Sequence, residues 1–188
     1  GGKLNLEFHP RPEYSYKYLM NNATKDELDF IQKKYIMVLD SFILQYLKLK
    51  LRYNVASENN KLINEILLCF HITAMRAAHR KNTLSYLIAY RLNKINKTKL
   101  PILEYLDIAK GIRENVLISV KLQEQNYRYP LTNVAAKKKS KTVYNFGYLY
   151  PVSNLHFWER EELQAKNNKW KFYYKNIWDV LKIIGVKK

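Results

Sequence analysis

Apolar residues fall at helical spacing along most of the chain. From Thr24 onward, Leu28, Ile31, Tyr35, Leu39, Phe42, Tyr46 and Leu49 recur every three or four positions. That period predicts a long amphipathic helix to about residue 51. Thr24 opens it with a capping box, its hydroxyl accepting from the backbone while Glu27, three residues on, reaches back. A second helix is predicted from a cap at Ser57, with Leu62, Ile66, Phe70, Ala74 and Ala77 on its inner face. Asn82 stands where a third helix would be capped, with Leu84, Leu87, Ile88, Leu92 and Ile95 turned inward. Pro101 fits the first turn of a fourth, which carries Ile102, Leu106, Ala109 and Ile112. Before these helices, residues 1–23, with Pro10 and Pro12 among polar and aromatic neighbours, read as an extended arm.

The period then changes. Val116, Ile118, Val120 and Leu122 alternate with Leu117, Ser119 and Lys121, which predicts a strand. Gln123 to Asn126 would turn the chain and Tyr127 to Val134 would return it. Pro130 cannot donate to a ladder, so the pair is expected as an edge or free ribbon over 116–134. A second period-two run, Tyr144, Phe146, Tyr148 and Tyr150, follows a lysine cluster. Ser153 or Asn154 is placed to cap a terminal helix. Trp170, Tyr174, Ile177, Trp178, Leu181 and Ile184 would form its stripe, and Gly185 would end it. The expected fold is mainly α, a helical bundle with a protruding β-ribbon and an aromatic-rich C-terminal extension ending in a helix. Its divisions are an arm (1–23), a helical core with the ribbon (24–134) and a basic, aromatic extension (135–188).

Charge changes this picture from a bundle to a bundle with a partner. The 188 residues hold 33 Lys and Arg against 16 Asp and Glu, a net charge of +17. Cations held near phosphates release condensed counterions, so a basic excess of this size points to a polyanion. The basic residues are also segregated. Between Glu65 and Glu104 no acid occurs, while Arg76, Arg80, Lys81, Arg91, Lys94, Lys97 and Lys99 all do. A second acid-free stretch, from Gln125 to Trp158, holds Arg128, Lys137, Lys138, Lys139 and Lys141. One-signed stretches of this kind suit a nucleic-acid backbone, whereas solvated helical faces more often mix signs. Arg76, Arg80, Lys81, Lys94, Lys97, Lys99, Lys121, Arg128, Lys137, Lys138, Lys139 and Lys141 are the candidate RNA contacts. Tyr127 and Tyr129 would either stack on unpaired bases or pack the ribbon onto the fourth helix.

Chemistry of other kinds finds little support. Cys69 and His71 would sit on different faces of a helix, too far apart in direction for a nucleophile and its base. His156 with Glu159, Glu161 and Glu162 lacks a second histidine at ligand spacing, and no glycine-rich phosphate loop is present. No catalytic residue, metal or cofactor is expected. One cysteine rules out an intramolecular disulfide framework. No run of apolar residues is long enough to span a bilayer. Abundant Tyr, Lys, Asn and Ile with scarce Gly and Pro is the usage of an AT-rich genome or organelle.

In the middle of the chain the order of features resembles the universal small-subunit ribosomal protein seven family. The family's helix end at a Gly-Lys-Lys-Ser/Thr type turn has its counterpart in His79-Arg80-Lys81-Asn82-Thr83. Its Pro-Leu helix start is matched by Pro101-Ile102, its Ala…Asn-Val step by Ala109 and Asn115-Val116, and its Tyr-x-Val-Pro-Val return strand by Tyr127-Arg128-Tyr129-Pro130-Leu131. The match covers roughly residues 60–134. Gln123-Glu124-Gln125-Asn126 departs from the family's basic, glycine-rich ribbon tip, and the family's next Trp-containing helix has no counterpart in 135–151. Ala165, Asn168, Lys169 and Tyr174 echo its final helix. The resemblance implies a divergent mitochondrial version: a structural rRNA-binding protein of the small-subunit head, in the matrix, beside ribosomal RNA and neighbouring ribosomal proteins rather than in a homo-oligomer. The alternative is an accessory subunit of another large mitochondrial assembly such as a respiratory complex. Tyr144, Phe146, Tyr148, Tyr150, Phe157, Trp158, Trp170 and Trp178 would then anchor partner proteins or pack within the chain. A nuclease or toxin-like enzyme is a third reading, and spacing suggests no site for it.

Overall fold

A computed structural model describes residues 12–53, 60–123 and 155–170, which are mainly helical. The helices are α1 (Pro12–Asn21), α2 (Lys25–Ile31), α3 (Met37–Tyr53), α4 (Lys61–Asn96), α5 (Leu103–Gln123) and α6 (Leu155–Asn167). A π-helical turn, Gln32–Ile36, joins α2 to α3 without a break.

The capping box forms at the start of α2: Glu27 donates its N–H to the Thr24 hydroxyl at 3.3 Å, and Thr24 donates its own to the Glu27 carboxylate at 2.9 Å. The π turn answers a packing problem. Ile31 and Ile36 are both buried although five residues apart. An α-helix would separate them by about 140°; the wider i→i+5 turn brings both onto the core. Downstream the core side is Tyr46, while Phe42 is 41% exposed, so the inner stripe expected from the sequence drifts off the core at that point.

Helices two and three of the sequence reading are one element. The 36 residues of α4 span about 54 Å. Its cap is Asn60, whose side chain accepts from the N–H groups of Leu62 and Ile63; Ser57 lies outside the described residues. Asn82 is no cap. It is interior, and its side-chain amide donates to the Ala78 carbonyl, the ordinary way a mid-helix Asn satisfies itself. His79 to Thr83, expected as a helix end, is therefore the middle of α4. Its N-terminal stripe also differs: Leu62, Ile66 and Phe70 are exposed, and the buried apolar residues of α4 begin at Ile72 and Ala74. The end of α4 comes at Lys97, left-handed at φ 55°, with the Thr98 N–H closing on the Asn93 carbonyl.

Two further corrections concern the arm and the ribbon. Residues 12–21 form α1, with Pro12 at the first helical position where its missing N–H costs nothing. Tyr16, Leu19 and Met20 of α1 are fully buried. The first ribbon strand, 116–122, is instead the last turns of α5. Leu106, Ala109 and Val116, all buried, together with the half-buried Arg113, step by three and four along one helical face. Val116 packs with Ile72, Leu155 and Trp158. Positions 116 and 120 satisfy both a period of two and a period of 3.6, and packing against α4 and α6 selects the helix. The return strand, Tyr127 to Val134, and the run from Tyr144 to Tyr150 lie outside the described residues.

The main core joins α1, α2, the π turn, the second half of α4, Leu106 and Ala165. The C-terminal extension contributes to both cores through α6. The expected stripe from Tyr174 to Ile184 lies outside the described residues. Helix α6 stops at Asn167, where Asn168 turns left-handed at φ 48°. The N–H groups of Asn168 and Lys169 close back on the carbonyls of Ala165 and Gln164, which is a Schellman stop. Trp170 then folds onto α1, its ring centre 5.3 Å from that of Tyr16 in a T-shaped pair and its indole nitrogen 3.2 Å from the Met20 sulfur.

Candidate nucleic-acid interface

The candidate RNA contacts whose side chains are described divide into three groups. Arg76 and Arg80 face inward. Arg76, on α4, makes a two-pronged pair with Glu161 of α6 at 2.8 and 2.9 Å. Its guanidinium also lies over the Trp158 ring at 5.0 Å. One turn along, fully buried His79 lies 3.0 Å from Arg76 through Nδ1 and 2.9 Å from Glu162 Oε1 through Nε2. Arg76 has only donors, so Nδ1 must accept and the ring proton sits on Nε2, donated to Glu162. Glu162 also receives Arg113 of α5 at 2.8 and 3.1 Å. Arg80 donates to the Tyr16 hydroxyl at 3.1 Å.

The electrostatics of this clasp are self-consistent. Burial alone would push the Glu161 carboxyl up, but Arg76, with His79 and Arg80 behind it, holds it below the usual carboxylate range. Glu162 shows the same contest, burial against hydrogen bonds from His79 and Arg113, and also ends lowered. His79 goes down because burial outweighs its bond to Glu162, so it stays neutral between the two ion pairs. Arg76 and Arg113 balance Glu161 and Glu162, and neither guanidinium is directed at a phosphate. The same arrangement excludes the Glu161/Glu162 pair as a metal site: guanidinium and imidazole groups occupy its oxygens. Among the described residues no group of three or more His, Cys, Asp or Glu is placed to hold a metal ion.

Lys81 forms the second group alone, its ammonium 2.5 Å from Asp40 of α3 across the helical hairpin. It is half-buried and paired.

Lys94, Lys97 and Lys99 form the third group, and all are exposed. Here the ends of three helices meet. Asn21 at the end of α1 and Asn168 just past α6 exchange hydrogen bonds at 3.0 and 3.1 Å. Lys94 near the end of α4 donates to Asn21 at 3.3 Å and lies 4.7 Å from the Tyr90 ring centre. Asn93 fixes the turn that follows: it donates to the Leu100 carbonyl and accepts from the Thr98 hydroxyl and the Leu100 N–H. Lys97 and Lys99 stand on this turn. Lys17 lies one turn before Asn21, and Lys166 and Lys169 bracket Asn168, all three exposed. The nearby carboxylate Glu27 is engaged by Tyr18 and Thr24. The result is a basic end of the bundle built from α1, α4 and α6. Helix C-termini favour cations, so local helix physics and a phosphate-facing surface ask for the same residues here.

Lys121 lies on α5 rather than on a ribbon. Arg128, Lys137, Lys138, Lys139 and Lys141, with Tyr127 and Tyr129, lie outside the described residues. Cys69 is exposed, and its thiol pKa is raised by partial burial and by Glu65, opposite to an activated nucleophile. His71 accepts or donates at Nδ1 with the Tyr46 hydroxyl, 2.9 Å away. No described helix is long and apolar enough to cross a membrane. No protein-family model, curated protein or solved structure matches the chain.

Proposed function

We propose that this chain is a non-enzymatic, structural RNA-binding protein that docks on folded RNA with the lysine-rich end of its helical body. The observation that carries this reading is the convergence of Lys94, Lys97 and Lys99 with Lys17, Lys166 and Lys169 at one end of a chain of net charge +17. Exposed lysines on helix ends and the turns that follow them serve to hold phosphates and fix orientation; they carry no base-reading geometry. Specificity would come from RNA shape. The resemblance to ribosomal protein seven supplies the setting: the small subunit of a mitochondrial ribosome, in the matrix, beside small-subunit rRNA and neighbouring ribosomal proteins. Arg76 and Arg80 leave the set of RNA contacts in this reading, since the clasp holds both.

Filter binding of the full chain to a transcript of the small-subunit rRNA head tests the interface. Each phosphate contact neutralised makes log K fall by about 0.7–0.9 per decade of salt. Replacing Lys94, Lys97 and Lys99 together by Glu should therefore flatten the slope by about two units and weaken binding at least tenfold. An unchanged slope removes this end of the bundle as the interface. Comigration with small-subunit rRNA in gradients of lysed organelles, abolished by ribonuclease, tests the setting; a particle indifferent to ribonuclease speaks for a protein assembly instead.

A further inference from the structure

One face of α3 is apolar and uncovered. Met37, Leu44, Leu47 and Leu51 are 61, 51, 45 and 80% exposed. Met37, Leu44 and Leu51 repeat every seven residues and Leu47 follows Leu44 by three, so the four spread over about 80° of the helix and about 21 Å of its length. They lie on the other side of the helix from Tyr46, which packs on His71 of α4. Val38 and Phe42 are exposed elsewhere on the helix, but this arc alone carries the seven-residue repeat, broken at Asp40, and has the form of a seam for one partner helix.

Charge identifies the partner. Lys48, Lys50 and Arg52 are exposed around the C-terminal half of the stripe. No acid occurs from Ser41 to Tyr53. The one acid of α3, Asp40, is turned onto Lys81 of α4. No carboxylate among the described residues pairs with the three cations. They flank Leu44, Leu47 and Leu51 as flanking charges do in a coiled coil, where they select a partner of opposite sign.

We propose that this face docks an amphipathic helix of another protein, with apolar residues at seven-residue spacing and Glu or Asp beside them. The other occupants fit less well. A second copy would bring a chain of net charge +17 whose own α3 acid is already engaged. A bilayer would draw Asp40, which lies within the arc, and Lys48 beside it into the acyl region, where ionised groups cost several kcal/mol. RNA has no use for an aliphatic ridge. The contact is independent of the lysine-rich end, so the bundle holds RNA at one place and protein at another.

The test places a benzophenone amino acid at Leu44 of the full chain expressed in its own cells, irradiates, and identifies the crosslinked peptide by mass spectrometry. A second probe at Leu51, the most exposed position of the stripe, guards against a folding defect at Leu44, and far-UV circular dichroism of both purified variants checks the fold. The expected product at both positions is the same segment of another protein, apolar every seven residues and flanked by carboxylates. Its yield should fall at least fivefold in the pair Lys48→Glu, Arg52→Glu. A crosslink to this chain, to a second copy, to lipid or to RNA overturns the proposal. So does the absence of any crosslink, or a yield that ignores the charge reversal.

Discussion

The clasp between α4, α5 and α6 makes a quantitative prediction at Glu161. Its side chain is 3% exposed, and Arg76, its partner, is 29% exposed. Glu161→Gln keeps the shape and one acceptor but removes the charge from the two-pronged pair. Orphaning a buried ion-pair partner costs about 3–5 kcal/mol. Arg76 can recover part of that from water and from the Trp158 ring, so the expected loss is about 2–3 kcal/mol. That is a large share of the 5–15 kcal/mol typical of a domain. With a urea slope of about 2 kcal/mol per molar, the midpoint should fall by about 1–1.5 M, read from tryptophan fluorescence and far-UV circular dichroism on the full chain. The pair Arg76→Met, Glu161→Leu removes both charges at similar volume and should return to within about 1 kcal/mol of the parent, because a buried pair is worth little more than its hydrophobic replacement. A midpoint shift under about 0.3 M for Glu161→Gln would show that the charge pair does not hold α6 in place. A double variant worse than the single would show that the pair is strongly favourable in its own right.

Acid should weaken the fold in two stages. His79 and His71 are both lowered from the ordinary 6.5, chiefly by burial, so the unfolded chain takes protons that the folded chain resists. Their stabilisation is present above pH 6.5 and is lost as pH falls below it. Glu161 and Glu162, lowered from 4.5, add a second loss below pH 4.5. Urea midpoints between pH 8 and 4 should decline in that order, and a midpoint that rises from pH 7 to 5 would contradict the assignment. Lys97→Gly separates folding from binding. Lys97 is left-handed at φ 55°, a conformation that costs a residue with a side chain about 1 kcal/mol, so thermal stability should rise while affinity for the rRNA head transcript falls.

Local signals in the sequence were legible where one residue makes one hydrogen bond. Thr24 and Glu27 close the expected capping box; the expected cap at Ser153 or Asn154 lies outside the described residues. Signals that depend on what lies across the interface were not. Asn82 looks like a cap in isolation, but α4 continues through it because Thr83, Leu84 and Leu87 are buried on the same continuous face. Val116, Ile118, Val120 and Leu122 look like a strand until Val116 meets Trp158, 42 positions downstream by sequence count. The ribosomal resemblance leaned on both features, a helix end near Asn82 and a ribbon from Val116, and neither stands where it was read. Charge was legible as a sum and misleading by position. Acid-free runs contained Arg76 and Arg80, and nothing near them in sequence announces Glu161, 85 and 81 residues away, which pairs with the one and lies near the other. A signal was nonetheless present. Two adjacent glutamates beside a tryptophan, in a chain so poor in acids, form a helix face that would be costly to bury without guanidinium partners. The chain supplies those partners at Arg76 and Arg113. Part of its positive charge is thus an internal requirement of the fold, cancelled by these carboxylates, and the surplus must be sought among cations outside the clasp, such as the exposed Lys97 and Lys99.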